Sequence, residues 1–143
     1  MSRRIILSDE KLIDILGEIG KGVLAHENNI RAKLGLSEAE YNGILCIEYE
    51  EKITCQEFSK RMDLSVSRGS RVVDRLCAKK FIERVDCDSD RRCKNIWLTS
   101  DGSAIRQKIG EEIRNFEDVL TAGYPDAKLT LLKSDFRRLC GKL

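Results

Sequence analysis

Arg68, Arg71 and Arg75 recur three and four residues apart, a spacing that on a helix brings the guanidinium groups onto one face in successive turns. Guanidinium is a planar, permanently charged fork of donors, so such a row suits phosphate oxygens and the paired acceptors of a guanine edge. Ser65, Ser67 and Ser70 lie among them as short donors near the start of the same helix, where free backbone amides and the helix dipole also favour a phosphate. Gly69 lacks a side chain and would allow either close helix packing or close approach to a groove. Farther along, Asp88-Ser89-Asp90-Arg91-Arg92 has the composition of an exposed hairpin tip. There Arg91 and Arg92 can enter a minor groove while Asp90 holds one guanidinium in place. The charge is local: from Lys60 to Lys94 there are eleven lysines and arginines against six aspartates and glutamates, in a chain whose formal net charge is +2. A basic block inside a balanced chain suggests a surface facing a polyanion, with a merely solvated charged face as the alternative.

The thiols form the second reactive set, six in 143 residues. Cys87 and Cys93 flank the polar tip, so in the obvious hairpin register their side chains approach across the strands, and a disulfide or shared metal there would stiffen the hairpin. Arg91, Arg92 and Lys94 favour thiolate at this pair, and Cys77 stands in the same basic block, so redox or metal sensing is one reading of Cys77, Cys87 and Cys93. Cys46, Cys55 and Cys140 read as small apolar fillers of helix interfaces. The opening residues lack a secretory hydrophobic stretch, which places the chain in the cytoplasm with its thiols reduced at rest. His26 is isolated and reads as a surface or interface residue, and no Cys/His set has zinc spacing. The sequence requires no cofactor; a metal or an iron–sulfur cluster on several cysteines would need them to converge in space. With no His-backed nucleophile, glycine-rich phosphate loop or carboxylate cluster, nothing here reads as an enzyme. Nor does any run approach the roughly 20 apolar residues of a membrane span.

The elements that must position these groups are mostly helical, Pro125 being the only proline. Apolar residues from Leu12 to Leu34 recur at helical spacing, although Gly17, Gly20 and Gly22 lower the propensity of this first helix. Ser37-Glu38-Ala39-Glu40 has the reciprocal-cap pattern of a helix start, and the helix should run to about Tyr49. A charged turn follows, then Thr54-Cys55-Gln56-Glu57 opens a short helix carrying Phe58 and Met62 inward. Asp63-Leu64 reads as a turn, and Ser65 caps a helix whose Gly69, Val72, Val73 and Leu76 share one face. Two short strands, Phe81 to Cys87 and Cys93 to Thr99, surround the charged tip; Trp97 and Phe81 read as hairpin packing, with Trp97 alternatively lining a small-molecule pocket. Thr99 to Gly102 caps a helix striped by Ile105, Ile109, Ile113, Phe116 and Leu120, and Pro125-Asp126 starts a last one.

Two short helices with a tight turn, followed at once by a basic-tipped hairpin, match a helix-turn-helix with a wing for duplex DNA. The order and spacing resemble the MarR family of bacterial and archaeal regulators from about Leu36 to Gly102. The residues that carry this are Leu36-Ser37-Glu38-Ala39-Glu40-Tyr41, Leu64-Ser65-Val66-Ser67, Val72-Val73-Asp74-Arg75-Leu76, Ile82-Glu83-Arg84, Asp90-Arg91-Arg92 and Leu98-Thr99-Ser100-Asp101-Gly102. The resemblance implies a single domain over 1–143 that is mainly α with a small β-hairpin wing. The winged motif would span about 36–99, and helices at about 8–34 and 100–143 would intertwine in a homodimer. It also implies that Ser65 through Arg75 enter the major groove of a palindromic operator and that Arg91 reaches the minor groove. Lys80 departs from the family pattern, which commonly has glycine there, so the helix must end on a left-handed lysine or in another geometry.

The function that follows is a DNA-binding transcriptional regulator, usually a repressor in this family, released when a small-molecule or oxidant effector changes the spacing of its two motifs. The alternative is a redox- or metal-responsive thiol protein that uses the winged fold as an interaction module; Arg68, Arg71 and Arg91 argue against it.

Overall fold

A computed structural model describes residues 9–88 and 90–143, without the side chains of Asp90 and Arg91. The elements are α1 (Leu12–Leu34), α2 (Glu38–Leu45), β1 (Ile53–Thr54), α3 (Cys55–Arg61), α4 (Val66–Ala78), β2 (Ile82–Cys87), β3 (Asp90–Leu98), α5 (Ser100–Thr121) and α6 (Asp126–Cys140). This is the mainly helical, winged architecture that the sequence predicts.

Local chemistry sets the boundaries. Ser37 accepts from the Glu40 N–H while the Glu40 carboxylate accepts from the Ser37 N–H, the reciprocal cap read in the sequence. Thr54 accepts from the Glu57 N–H at 3.0 Å, and Ser65 from the Arg68 N–H at 3.4 Å. The sequence predicts that α2 reaches Tyr49, but it stops at Leu45. Arg61 donates to the Cys46 carbonyl at 3.0 Å and grips the Glu51 carboxylate with two nitrogens at 2.8 and 2.7 Å. The Glu48 N–H donates to the same carboxylate at 3.0 Å, so groups that would prolong the helix are satisfied in a turn instead. That turn buries Ile47. It leads into β1, a strand the sequence does not announce because two residues show no alternation. Ile53 pairs with Ile96 and Thr54 with Asn95, giving the sheet order β1-β3-β2.

The turn of the helix-turn-helix rests on Asp63 at φ 52°. Leu64 N–H donates to Ser59 O at 2.9 Å and Asp63 N–H to Lys60 O at 3.1 Å, which satisfies the last carbonyls of α3. The end of α4 repeats this pattern. Phe81 N–H donates to Leu76 O at 3.0 Å and Lys80 N–H to Cys77 O at 2.9 Å, with Lys80 at φ 62°. The left-handed lysine is therefore the geometry adopted. A β-carbon is disfavoured in that region, so Lys80→Gly should raise the stability to unfolding by about 1 kcal/mol. Urea denaturation checks this, and a lower midpoint for the glycine variant would show that the lysine side chain contributes more than its backbone costs.

The chain divides into two compact units, Met1–Ile109 and Gly110–Leu143. Every buried apolar residue among those described lies between Ile30 and Ile109, with Ile44, Phe58, Val73, Leu76, Ile96 and Ile109 fully enclosed. α1 runs unbroken past its three glycines, and of its residues only Ile30 is buried. In the second unit α6 begins after Pro125, and Lys133 pairs with Glu117 at 2.9 Å.

Candidate nucleic-acid interface

The two faces of α4 have separate duties. Gly69, Val72, Val73 and Leu76 form its buried side. A β-carbon on Gly69 would lie 2.8 Å from Ser59 Cβ and 3.2 Å from Ser59 Cα, so this glycine serves the close packing of α3 against α4. On the other side Ser65, Ser67, Arg68, Arg71 and Arg75 are exposed and Ser70 is half-buried. The Ser65 hydroxyl is occupied as the helix cap and lies 3.3 Å from Ser67 Oγ. Arg61, Lys79, Arg84 and Arg106 are each matched to a carboxylate. Arg68, Arg71 and Arg75 have no such partner among the described residues. A row of unmatched guanidinium groups on one exposed face is a strong local source of positive potential.

Ion pairs fix the helix that carries this row. Arg84 of β2 donates to Asp74 of α4 at 2.6 Å, which holds the hairpin against the helix and raises the arginine's pKa. At the other end Lys79 reaches Glu40 Oε2 at 2.7 Å and the Gly35 carbonyl at 2.8 Å, joining the end of α4 to the end of α1 and the start of α2. Burial opposes the charge on Glu40, but the Lys79 ammonium and the Ser37 N–H outweigh it, so its carboxyl lies below the ordinary value. Hydrogen bonds from Arg61 likewise bring Glu51 down to about 2. Sequence reasoning misses these anchors because the partners are remote along the chain. Asp74 and Arg84 do fall in the segments that carry the family resemblance, which is the one signal that could have marked them.

The hairpin pairs regularly from Ile82 opposite Leu98 to Asp86 opposite Lys94, then shifts so that Cys87 lies opposite Asp90. Lys94 also pairs with the Asp86 carboxylate. Cys87 and Cys93 are joined by a disulfide, with Cα atoms 5.2 Å apart. This corrects the expectation of six reduced thiols and realises the cross-strand approach that the spacing suggests. Arg92 is exposed; the assigned roles of the Asp90 and Arg91 side chains lie outside the described residues. Cys55, Val66, Ser70, Arg84, Arg92 and Lys94 line one cleft of about 460 Å³, so α3, α4 and the wing meet around a basic hollow.

Cys77 does not join the bonded pair. It packs against the core, as Cys46 and Cys55 do. Burial raises all three thiols, Cys46 to about 11. Cys140, read as a core filler, is instead exposed on a helix with no buried residue. His26 is half-buried on α1. Among the described residues no three His, Cys, Asp or Glu side chains are placed to hold a metal ion, and no helix is long and apolar enough to cross a membrane. Trp97 carries the Lys52 ammonium over its ring, 4.8 Å from the centroid.

Residues 36–94 match the sequence model of the MarR family. The transcriptional repressor MprA of Escherichia coli K12 is 24% identical over 123 residues, covering 85% of this chain and 70% of that protein. The multiple antibiotic resistance protein MarR of Salmonella typhimurium is 29% identical over 90 residues, 60% of this chain and 62% of that one. The crystal structure of wild-type MarR from E. coli superposes over 91% of this chain and 97% of its own, with a TM-score of 0.69 at 21% identity, a likeness of fold.

Proposed function

We propose that this chain is a transcriptional repressor of the MarR family that binds a palindromic operator as a homodimer and leaves it when an effector binds. The unmatched row of Arg68, Arg71 and Arg75 on the exposed face of α4 is the observation that carries this reading. In it α4 lies in the major groove, with Ser65, Ser67 and Ser70 on phosphates and the arginines on phosphates and guanine edges. Arg91 and Arg92, at the tip of the hairpin, reach the adjoining minor groove, with Asp90 orienting a guanidinium. Repression is the role in MprA's name.

Dimerisation follows from the apolar side chains left in water at both ends of the chain. On α1, Ile13 is 68% and Leu24 55% exposed; Val119 on α5 is 74% exposed and Leu131 on α6 66%. Covering such surface with a second copy is favourable by about 25 cal/mol per Å² of apolar area. A two-fold dimer then offers two copies of α4 to two half-sites, hence the palindrome. An effector, a small molecule or an oxidant, would release DNA by favouring a spacing of the two motifs that the operator does not fit. The chain works in the cytoplasm, where chromosomal DNA is, and has no catalytic role. The thiol-module alternative gives the row of arginines nothing to do.

Selection from a random duplex pool, with sedimentation to fix the stoichiometry, tests the reading. The expected product is an inverted repeat with half-site centres about one helical turn apart, bound by two chains. Enrichment without symmetry, or binding by a single chain, would overturn the dimeric operator reading.

A further inference from the structure

We propose that the Cys87–Cys93 bond is a reversible lock on the wing, closed and opened by exchange with a low-molecular-weight disulfide, and that the locked wing holds DNA more tightly than the open one. The inference rests on the DNA-binding reading of the same site and names its regulation.

The position of the bond carries the argument. The β2–β3 ladder is regular as far as Asp86 and Lys94 and then shifts to pair Cys87 with Asp90, so the disulfide is a covalent cross-strand tie at the point where the register breaks. Arg92 lies next to Cys93 along the chain, and both line the cleft that Val66 and Ser70 of α4 also line. Opening the bond removes that covalent tie, so that Arg92, next to Cys93, must be ordered at the moment of binding. Ordering a loop on association costs affinity that a preformed wing retains.

The surroundings suit exchange rather than permanent stapling. Neither cysteine belongs to the hydrophobic core, and both are partly exposed, so a small thiol can reach the bond. Arg92 and Lys94 flank Cys93 in sequence, two cationic side chains beside a sulfur that takes part in exchange. Cys46, Cys55 and Cys77 are withdrawn by burial, which raises their thiols. In the closing direction one wing thiolate attacks a small disulfide RSSR and expels RS⁻, leaving a mixed disulfide. The second wing thiolate then displaces the other RS⁻. One S–S bond is broken and one formed, and the two wing protons and two electrons end on two RSH molecules; opening is the reverse.

The test uses the full chain with Cys140→Ser, so that the exposed thiol takes no part, equilibrated in oxidised or reduced glutathione. Alkylation counts the wing thiols and fluorescence anisotropy measures operator affinity. The reduced protein should bind about tenfold more weakly than the oxidised one, by loss of preorganisation. A further Cys87→Ser/Cys93→Ser pair should bind like the reduced protein in both buffers. Equal affinity in the two states, or a serine pair that still responds to glutathione, overturns the lock and leaves the regulator standing. Binding in neither state overturns the DNA-binding reading and the lock together.

Discussion

Alanine at position 71 is expected to weaken operator binding by about 10- to 100-fold and to relax base preference at one position in each half-site, the loss of one bidentate guanine contact per subunit. Arg71 is the middle member of the exposed row on α4, with no carboxylate partner among the described residues. Its guanidinium is therefore available to the groove without breaking an internal pair. Arg91→Ala, at the tip of the wing, should behave differently. It should weaken binding across many sequences alike and lower the salt dependence by about one phosphate per subunit. Anisotropy titrations against the operator and its single-base variants separate the two. If Arg71→Ala keeps both affinity and preference, α4 is not the reading element; if Arg91→Ala binds like the parent, the wing assignment falls.

Gly102→Ala should destabilise the protein by about 3 kcal/mol, the upper end of what overpacking costs, and lower the melting temperature by about 10 °C. A β-carbon at this position would lie 2.8 Å from the Phe81 carbonyl carbon and 3.2 Å from Phe81 Cα, which are backbone atoms with no rotamer to yield. The surroundings are equally tied. Thr99 Oγ1 donates to the Lys80 carbonyl at 2.6 Å and accepts from the Gly102 N–H at 3.0 Å, and the Thr99 N–H donates to the Phe81 carbonyl at 3.0 Å. The start of α5 is thus pressed onto the turn that ends α4 and begins the wing. Thermal denaturation followed by circular dichroism measures the loss. A melting temperature within about 2 °C of the parent, less than about 1 kcal/mol, would mean that the contact relaxes at little cost and does not fix the wing.

What the sequence made legible was local. The caps at Ser37, Thr54 and Ser65, the two faces of α4 and the hairpin around residues 88–92 each follow from chemistry within a few residues, whereas at Lys80 the sequence left a left-handed lysine and another geometry open, and the structure takes the first. The early stop of α2 was not legible, because it depends on Arg61 folding back onto the Cys46 carbonyl and Glu51. β1 is too short for alternation to appear and exists only as a partner of β3. At the candidate site the residue types were readable, but their support was not. Asp74 with Arg84 and Glu40 with Lys79 meet only once the chain has folded. The cysteines show both sides: spacing brought Cys87 and Cys93 together, while neither the separation of Cys77 from them nor the exposure of Cys140 could be read from neighbours in the chain.

On the proposed reading, the α4 face grips duplex DNA through Arg68, Arg71 and Arg75, and the wing grips it beside them. Affinity of the purified chain for its selected operator and for a scrambled duplex, each measured across a salt series, tests it most directly. Log affinity should fall linearly with log salt, by about 0.9 for each phosphate neutralised, and the operator should stay preferred by at least about a thousandfold at physiological salt. Binding indifferent to salt, or equal for the two duplexes, would contradict it.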